Sequence, residues 1–131
     1  MVLADTTVWI DYFGGLRNAQ TDWLDQSAGH VEIGLADLSL CELLQGVRSD
    51  AQFIWLRDEM RRFDVLNTGG EALAIASAEN YRLLRTKGYT VRKAIDCLIA
   101  TYCLVEGHEL LHRDRNFDPF EAHLGLQVVH P

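Results

Sequence analysis

Proline is scarce in this chain, two in 131 residues, and no stretch is repetitive or of low complexity. With 48% apolar residues available for a core, an intrinsically disordered chain is excluded. Cysteine is scarce too: Cys41, Cys97 and Cys103 are odd in number and widely spaced. That excludes a disulfide framework and a zinc ribbon. Long uncharged apolar runs are missing. The one inside the most apolar helix, Cys97 to Val105, is nine residues, far short of a membrane span. Asp5 interrupts the N-terminus before the apolar core of a secretory signal can form, so the chain is expected in the cytoplasm. What is present in excess is acid, 19 Asp and Glu against 12 Lys and Arg, for a net charge of −7. Taken alone, that argues against nucleic acid as a partner. The cations are not spread evenly, however. Most fall in three clusters: Arg57, Arg61 and Arg62; Arg82, Arg85, Lys87, Arg92 and Lys93; Arg113 and Arg115. Acids that hold a metal are also neutralised in use, so total charge leaves the partner open.

Taken in order, Val2 to Asp5 reads as a short buried strand ending in a carboxylate. Thr6 or Thr7 is placed to cap a helix carrying Trp9, Ile10 and Phe13, stopped by Gly14-Gly15. A second helix is expected from about Asn18 to Ser27, and a second strand over Val31 to Ala36. Asp37 to Gly46 opens a third helix, and Asp50 caps a fourth with Phe53, Ile54, Leu56 and Met60 as its apolar stripe. Phe63 to Leu66 is a third strand, and Glu71 to Thr86 a long helix ended by Gly88. Ala94 to Val105 is an apolar helix whose single charge is Asp96. Gly107 stops it, Leu110-Leu111 starts a buried strand, and Val128-Val129 makes a last edge strand. Strands alternating with helices predict one α/β domain, residues 1–131, with a mostly parallel central sheet of four to five strands and helices on both faces.

Five acids fall on strand ends and helix starts. Asp5 has a structural explanation as an N-cap. Glu42 closes Ser39-Leu40-Cys41-Glu42, the pattern of a capping box. Asp96 can favour the positive end of its helix, which accounts for an acid but not for its setting among Ile95, Leu98 and Ile99. Asp114 and Asp118 can be turn residues, the latter before Pro119. Parallel strands nevertheless bring such ends to one edge of a sheet, where α/β proteins build their sites. Clustered acids there repel one another unless a hard cation joins them.

Four segments in order then resemble the PIN-domain ribonucleases, in particular the VapC toxins of bacterial toxin–antitoxin pairs. Asp5-Thr6-Thr7-Val8-Trp9-Ile10-Asp11 is similar to the family's opening D-T-S-V-W-I-D, and Leu40 to Gly46 to its E-L-L-x-G segment. Ala94 to Ala100 is similar to the D-A-L-I-A helix, and Arg113 to Phe117 to the closing N-D-R-D-F. The resemblance spans nearly the whole chain. It implies a PIN-like three-layer fold and an acidic cluster of Asp5, Glu42, Asp96 and Asp114 binding Mg²⁺ or Mn²⁺. It implies as well an endoribonuclease, an antitoxin partner and a homodimer. One departure stands out: Asn116 occupies a position where many relatives carry aspartate, and Asp118, two residues on, is a substitute candidate. Thr7 is a candidate for orienting a water. The helices of residues 50–62 and 6–13 are candidate partner surfaces.

Two other readings remain at this point. An aspartyl phosphotransferase also places its nucleophile at the end of a first strand, but its usual second aspartate is Thr7 here. A non-catalytic binding module that keeps the fold draws its support from Asn116. Cys41 and Cys97 are expected to behave as small buried hydrophobes, and His112 to sit at a strand end rather than ligate. Trp9, Tyr12, Phe13 and Trp55 are expected mainly in the core.

Overall fold

The computed structural model describes all residues, 1–131. Four strands, β1 (Val2–Ala4), β2 (Ile33–Ala36), β3 (Asp64–Leu66) and β4 (Glu109–Leu111), form one sheet in the order β3-β2-β1-β4, with every pairing parallel. Seven helices join them: α1 (Thr6–Phe13), α2 (Ala19–Ser27), α3 (Asp37–Gln45), α4 (Asp50–Met60), α5 (Glu71–Thr86), α6 (Ala94–Glu106) and α7 (Asp118–Leu124). Side chains alternate across each strand, so the sheet splits the interior into two cores. Leu3, Ala36 and Leu110 pack on one face with Leu84, Ile99, Phe117 and Phe120. Val2, Ala4, Ile33, Leu35 and Leu111 pack on the other with Trp9, Leu24, Leu43 and Met60. The result is three layers.

Trp9 fixes α1 to the sheet. It is fully buried, packs at a tilt against Phe63 at 4.7 Å between ring centroids, and donates its indole N–H to the Ala4 carbonyl at 2.9 Å. Gly34 is the one position where β2 has no room for a side chain: a Cβ there would lie 2.9 Å from the Asp64 carbonyl oxygen of β3. Gly107 ends α6 in the left-handed region at φ 72°, which a glycine adopts without steric cost.

Several local expectations change. Asp5, not Thr6 or Thr7, is the N-cap of α1, and Ser49 rather than Asp50 caps α4. The strand expected from Val31 starts at Ile33, because Val31 bridges back to Ala28 instead. The apolar stripe of α4 is only half realised: Leu56 and Met60 are buried, whereas Phe53, Ile54 and Trp55 are exposed. Val128-Val129 contributes a single bridge to Leu110, not a fifth strand. Asp118-Pro119 does not make an isolated turn. It opens α7, where proline is tolerated in the first turn, after a 3-10 turn over Arg115–Phe117. Phe117 and Phe120 are fully buried and tie this end down, each by roughly 1.5–3 kcal/mol of apolar burial. Cys41, expected to be buried, is exposed; Cys97 is buried as expected, and Cys103 is buried too.

Candidate active site

The chain passes from β1 to β2 to β3 on one side, then returns to place β4 on the other side of β1. The reversal makes the gap beyond β1 and β4 a topological switch point, where open α/β sheets bind ligands. Asp5 ends β1 and Asp114 follows β4 by three residues. Glu42 arrives from α3 and Asp96 from the first turn of α6. All four line one cavity of about 230 Å³ together with Thr6, Thr7, Ile10, Gln45 and Lys93. A larger cavity, about 550 Å³, lies at the opposite ends of β2 and β3, remote from these acids.

Each acid is held by its own hydrogen bonds. Asp5 Oδ2 accepts from the Thr7 hydroxyl at 2.8 Å and from the Thr7 backbone N–H at 3.2 Å. The same hydroxyl accepts from the Arg113 N–H at 3.3 Å, stitching the β4 loop to the start of α1. Glu42 Oε1 accepts from the Thr6 hydroxyl at 2.8 Å. Its capping-box role is thereby corrected. Helix α3 begins at Asp37, with no side-chain cap on Ala36, so Ser39 lies inside the helix and Glu42 is free to turn to α1. Asp96 Oδ2 accepts from the Asn116 amide at 3.1 Å, and Asp114 Oδ1 accepts from the Asn116 N–H at 2.9 Å. Asn116 therefore spans two of the acids, though it is not itself part of the cavity lining.

Burial sets the electrostatics. Asp5 is 2% exposed, and desolvation pushes its carboxyl up to about 6 against the pull of the Thr7 hydrogen bonds; the Asp96 charge adds to the rise. Asp96, 5% exposed, is likewise raised, first by burial and then by Asp114 and Glu42, with the Asn116 hydrogen bond and Lys93 opposing. Two neighbouring carboxyl groups that resist ionisation are a site short of positive charge.

Asp118 is not among the cavity-lining residues. It lines an adjoining cavity of about 460 Å³ with His112, Arg113, Arg115 and His130, and Asp114 lines both. His112 stands at the end of β4, and its Nδ1 accepts from the Asp114 N–H at 3.1 Å. Burial lowers its pKa. Sequence reasoning passed over Thr6, Ile10, Gln45 and Lys93. Lys93 had a usable signal, standing one helical turn before Asp96; Gln45 had one too, three residues after Glu42 on the same helix face.

The family model for the PIN domain matches residues 2–121. The chain belongs to the PIN-domain family. Among its relatives are the VapC ribonuclease Mb1587 of Mycobacterium bovis and ribonuclease VapC11 of Mycobacterium tuberculosis, each 31% identical, with 98% of both chains covered. VapBC2 from Rickettsia felis, bound to a DNA fragment from its promoter, has the same fold, with a TM-score of 0.77 at 19% identity and 98% of each chain covered. VapBC-1 from nontypeable Haemophilus influenzae gives a TM-score of 0.74 at 19% identity, covering 98% of this chain and 97% of that one. This PIN domain is thus of the VapC type.

The acids suit a hard cation. The donors in reach are carboxylate, hydroxyl and amide oxygens, with no cysteine or histidine in the lining. No three of the His, Cys, Asp and Glu side chains already converge on a single point. Mg²⁺ does not need them to, since it keeps several waters and takes one or two carboxylates directly. A cation would also relieve the desolvated charge of Asp5 and Asp96.

Proposed function

We propose that this PIN domain is a Mg²⁺- or Mn²⁺-dependent endoribonuclease acting as the toxin of a toxin–antitoxin pair, as its relatives' names suggest. The observation that carries the reading is the meeting of Asp5, Glu42, Asp96 and Asp114, from four separate elements, in one cavity at the sheet's switch point. These four would hold the ion. Bound there, it would supply Lewis acidity toward a phosphodiester and lower the pKa of an attacking water.

The chain's own residues prepare that chemistry. Thr7 and Thr6 orient the Asp5 and Glu42 carboxylates, and Asn116 holds Asp96 while leaving its own carbonyl oxygen available as a neutral ligand. In this reading Thr7 serves first to orient Asp5, to which its hydroxyl donates. Lys93 brings the one cation in the lining, suited to a substrate phosphate. In this reading Asn116, hydrogen-bonded to both Asp96 and Asp114, takes precedence as substitute ligand over Asp118, which lines the adjoining cavity.

An apolar groove of about 530 Å³ runs beside the site between α1, α3 and α4, lined by Phe13, Leu43, Val47, Trp55 and Leu56. Ile10 and Glu42 line both groove and cavity. A helical antitoxin segment laid in this groove would end at the acids and block them. The homodimer is expected on the same family grounds, within the cytoplasm; no helix here is long and apolar enough to cross a membrane.

The test is incubation of purified protein with RNA, with and without Mg²⁺ or Mn²⁺, followed by sequencing of new ends. Metal-dependent cuts are expected from the wild type and none from Asp96→Asn, whose metal-free melting temperature should equal or exceed the wild type's because repulsion is relieved. Equal cutting by both proteins, or no cutting with either metal, would sink the reading.

A further inference from the structure

One stretch of this acidic chain is wholly basic. Residues 80–95 carry Arg82, Arg85, Lys87, Arg92 and Lys93 and not one Asp or Glu, in a molecule whose net charge is −7. It covers the C-terminal part of α5 and the loop into α6. All five cations are exposed, and none makes an ion pair. The contrast with α4 is direct. There Arg57, and Arg61 and Arg62 just past the helix end, are each paired with Asp58 or Glu59 of its last turn. Cations that only solubilise a surface are easily neutralised this way; five left open in one run hold a positive potential.

The segment is also anchored and aromatic. The Arg85 guanidinium lies over the Tyr81 ring at 5.7 Å, and Tyr89, 42% exposed, packs against His123 of α7 at 5.0 Å between centroids. A flat exposed ring among cations is what stacks a base beside a tracked backbone. Most telling is where the segment leads. Its last cation, Lys93, lines the acid cavity itself. Without such a track the surface around four carboxylates would repel a polyanion.

We propose that residues 82–93 form the entry surface for single-stranded RNA, holding the phosphates that flank the scissile bond and passing the strand over Lys93 into the acid cavity. The inference rests on the nuclease reading for its ligand, but its surface can be tested by binding alone.

The probe is a labelled single-stranded polyuridylate followed by anisotropy across a salt series, using the Asp96→Asn protein so that nothing is cut. Neutralising three cations away from the cavity, as R82Q/R85Q/K87Q, should weaken binding and flatten the dependence of log K on log salt. The slope should fall by about 2, at roughly 0.7 for each single-strand phosphate no longer neutralised. The charge-matched control R57Q/R61Q/R62Q should leave the slope at the parent value. Equal changes in both variants would reduce the effect to net charge and overturn the proposal, as would no change in either. Polyglutamate binding more tightly than polyuridylate at the same ionic strength would assign the surface to an acidic protein and overturn it too. Cleavage by the wild type reports separately: an inert protein with the expected salt response refutes the nuclease and keeps the surface.

Discussion

At Asp5 two demands meet in one carboxylate. It caps α1, and it is the innermost acid of the cavity. The cap interaction favours the charged form, while burial opposes it and wins, leaving the carboxyl near 6. The sign for stability follows. The folded chain binds this proton more tightly than the unfolded one, so the stabilisation is complete below 3.8 and is lost as pH rises through about 6. The shift corresponds to on the order of 3 kcal/mol in metal-free protein. Asp5→Asn keeps a good cap and removes the titration. Urea unfolding in chelator should therefore show the wild type losing stability relative to Asp5→Asn between about pH 4 and pH 7. A difference that stays flat with pH would mean Asp5 is not desolvated.

Asn116 offers a second residue-scale test. Its amide N–H sits 3.1 Å from Asp96 Oδ2. Asn116→Asp replaces that donor with a like charge, so the metal-free fold should lose about 2 kcal/mol, the value of a hydrogen bond to a charged group plus repulsion. With Mn²⁺ present the extra carboxylate becomes a ligand, and the sign should reverse. Melting curves of the variant with and without Mn²⁺ read this directly. Asp118→Asn, in the neighbouring cavity, should leave Mn²⁺ affinity unchanged. Failure of the sign to reverse would place residue 116 outside the ion's reach.

At the scale of elements, the joints between strands and helices hold the site edge together. Asp37 Oδ1 accepts from the Leu38 N–H and from both the hydroxyl and the N–H of Thr68, which is fully buried. One carboxylate thus ties the β2–α3 turn to the chain between β3 and α5. Asp37→Ala strands the Thr68 donors and should cost about 1–3 kcal/mol in chemical denaturation; a loss below experimental error would show that water replaces them. Elements with one unopposed local signal were readable in advance: α5 and α6 from their apolar spacing and terminal glycines, β1 and β2 from short apolar runs ending in acids. The misreadings cluster where one local rule competes with another. Ser39 and Glu42 matched a capping box, but β2 runs straight into α3 two residues earlier, and packing of α3 against α1 takes Glu42 for Thr6. Phe53, Ile54 and Trp55 looked like core because apolar residues on a helix usually are, yet a four-stranded sheet has no further surface to cover them. Helix α7 was invisible because Asp-Pro signals a turn and a helix start equally well. The acids were legible one by one, and parallel strands pointed their ends to one sheet edge; which four of the five meet came from the resemblance, because position along a chain says nothing about which strand lies beside which.

For the molecule as a whole, charge is partitioned rather than averaged. The acids that would hold metal are concentrated at the switch point, and the unpaired cations of residues 82–93 approach from one side. The strand order carries a different consequence. Strand β4 lies beside β1, so the first-made strand waits for the last, about a hundred residues later in synthesis. At about 5–20 residues per second, that delay is about 5–20 seconds. Asp5 and Glu42 leave the ribosome early, whereas Asp96 and Asp114 come in the final third. A half-made chain therefore carries only half of the acid set and no neighbour on that edge of β1. The acid cavity cannot be completed until the last strand beds in, whereas α1, α3 and α4, which line the apolar groove, are already made.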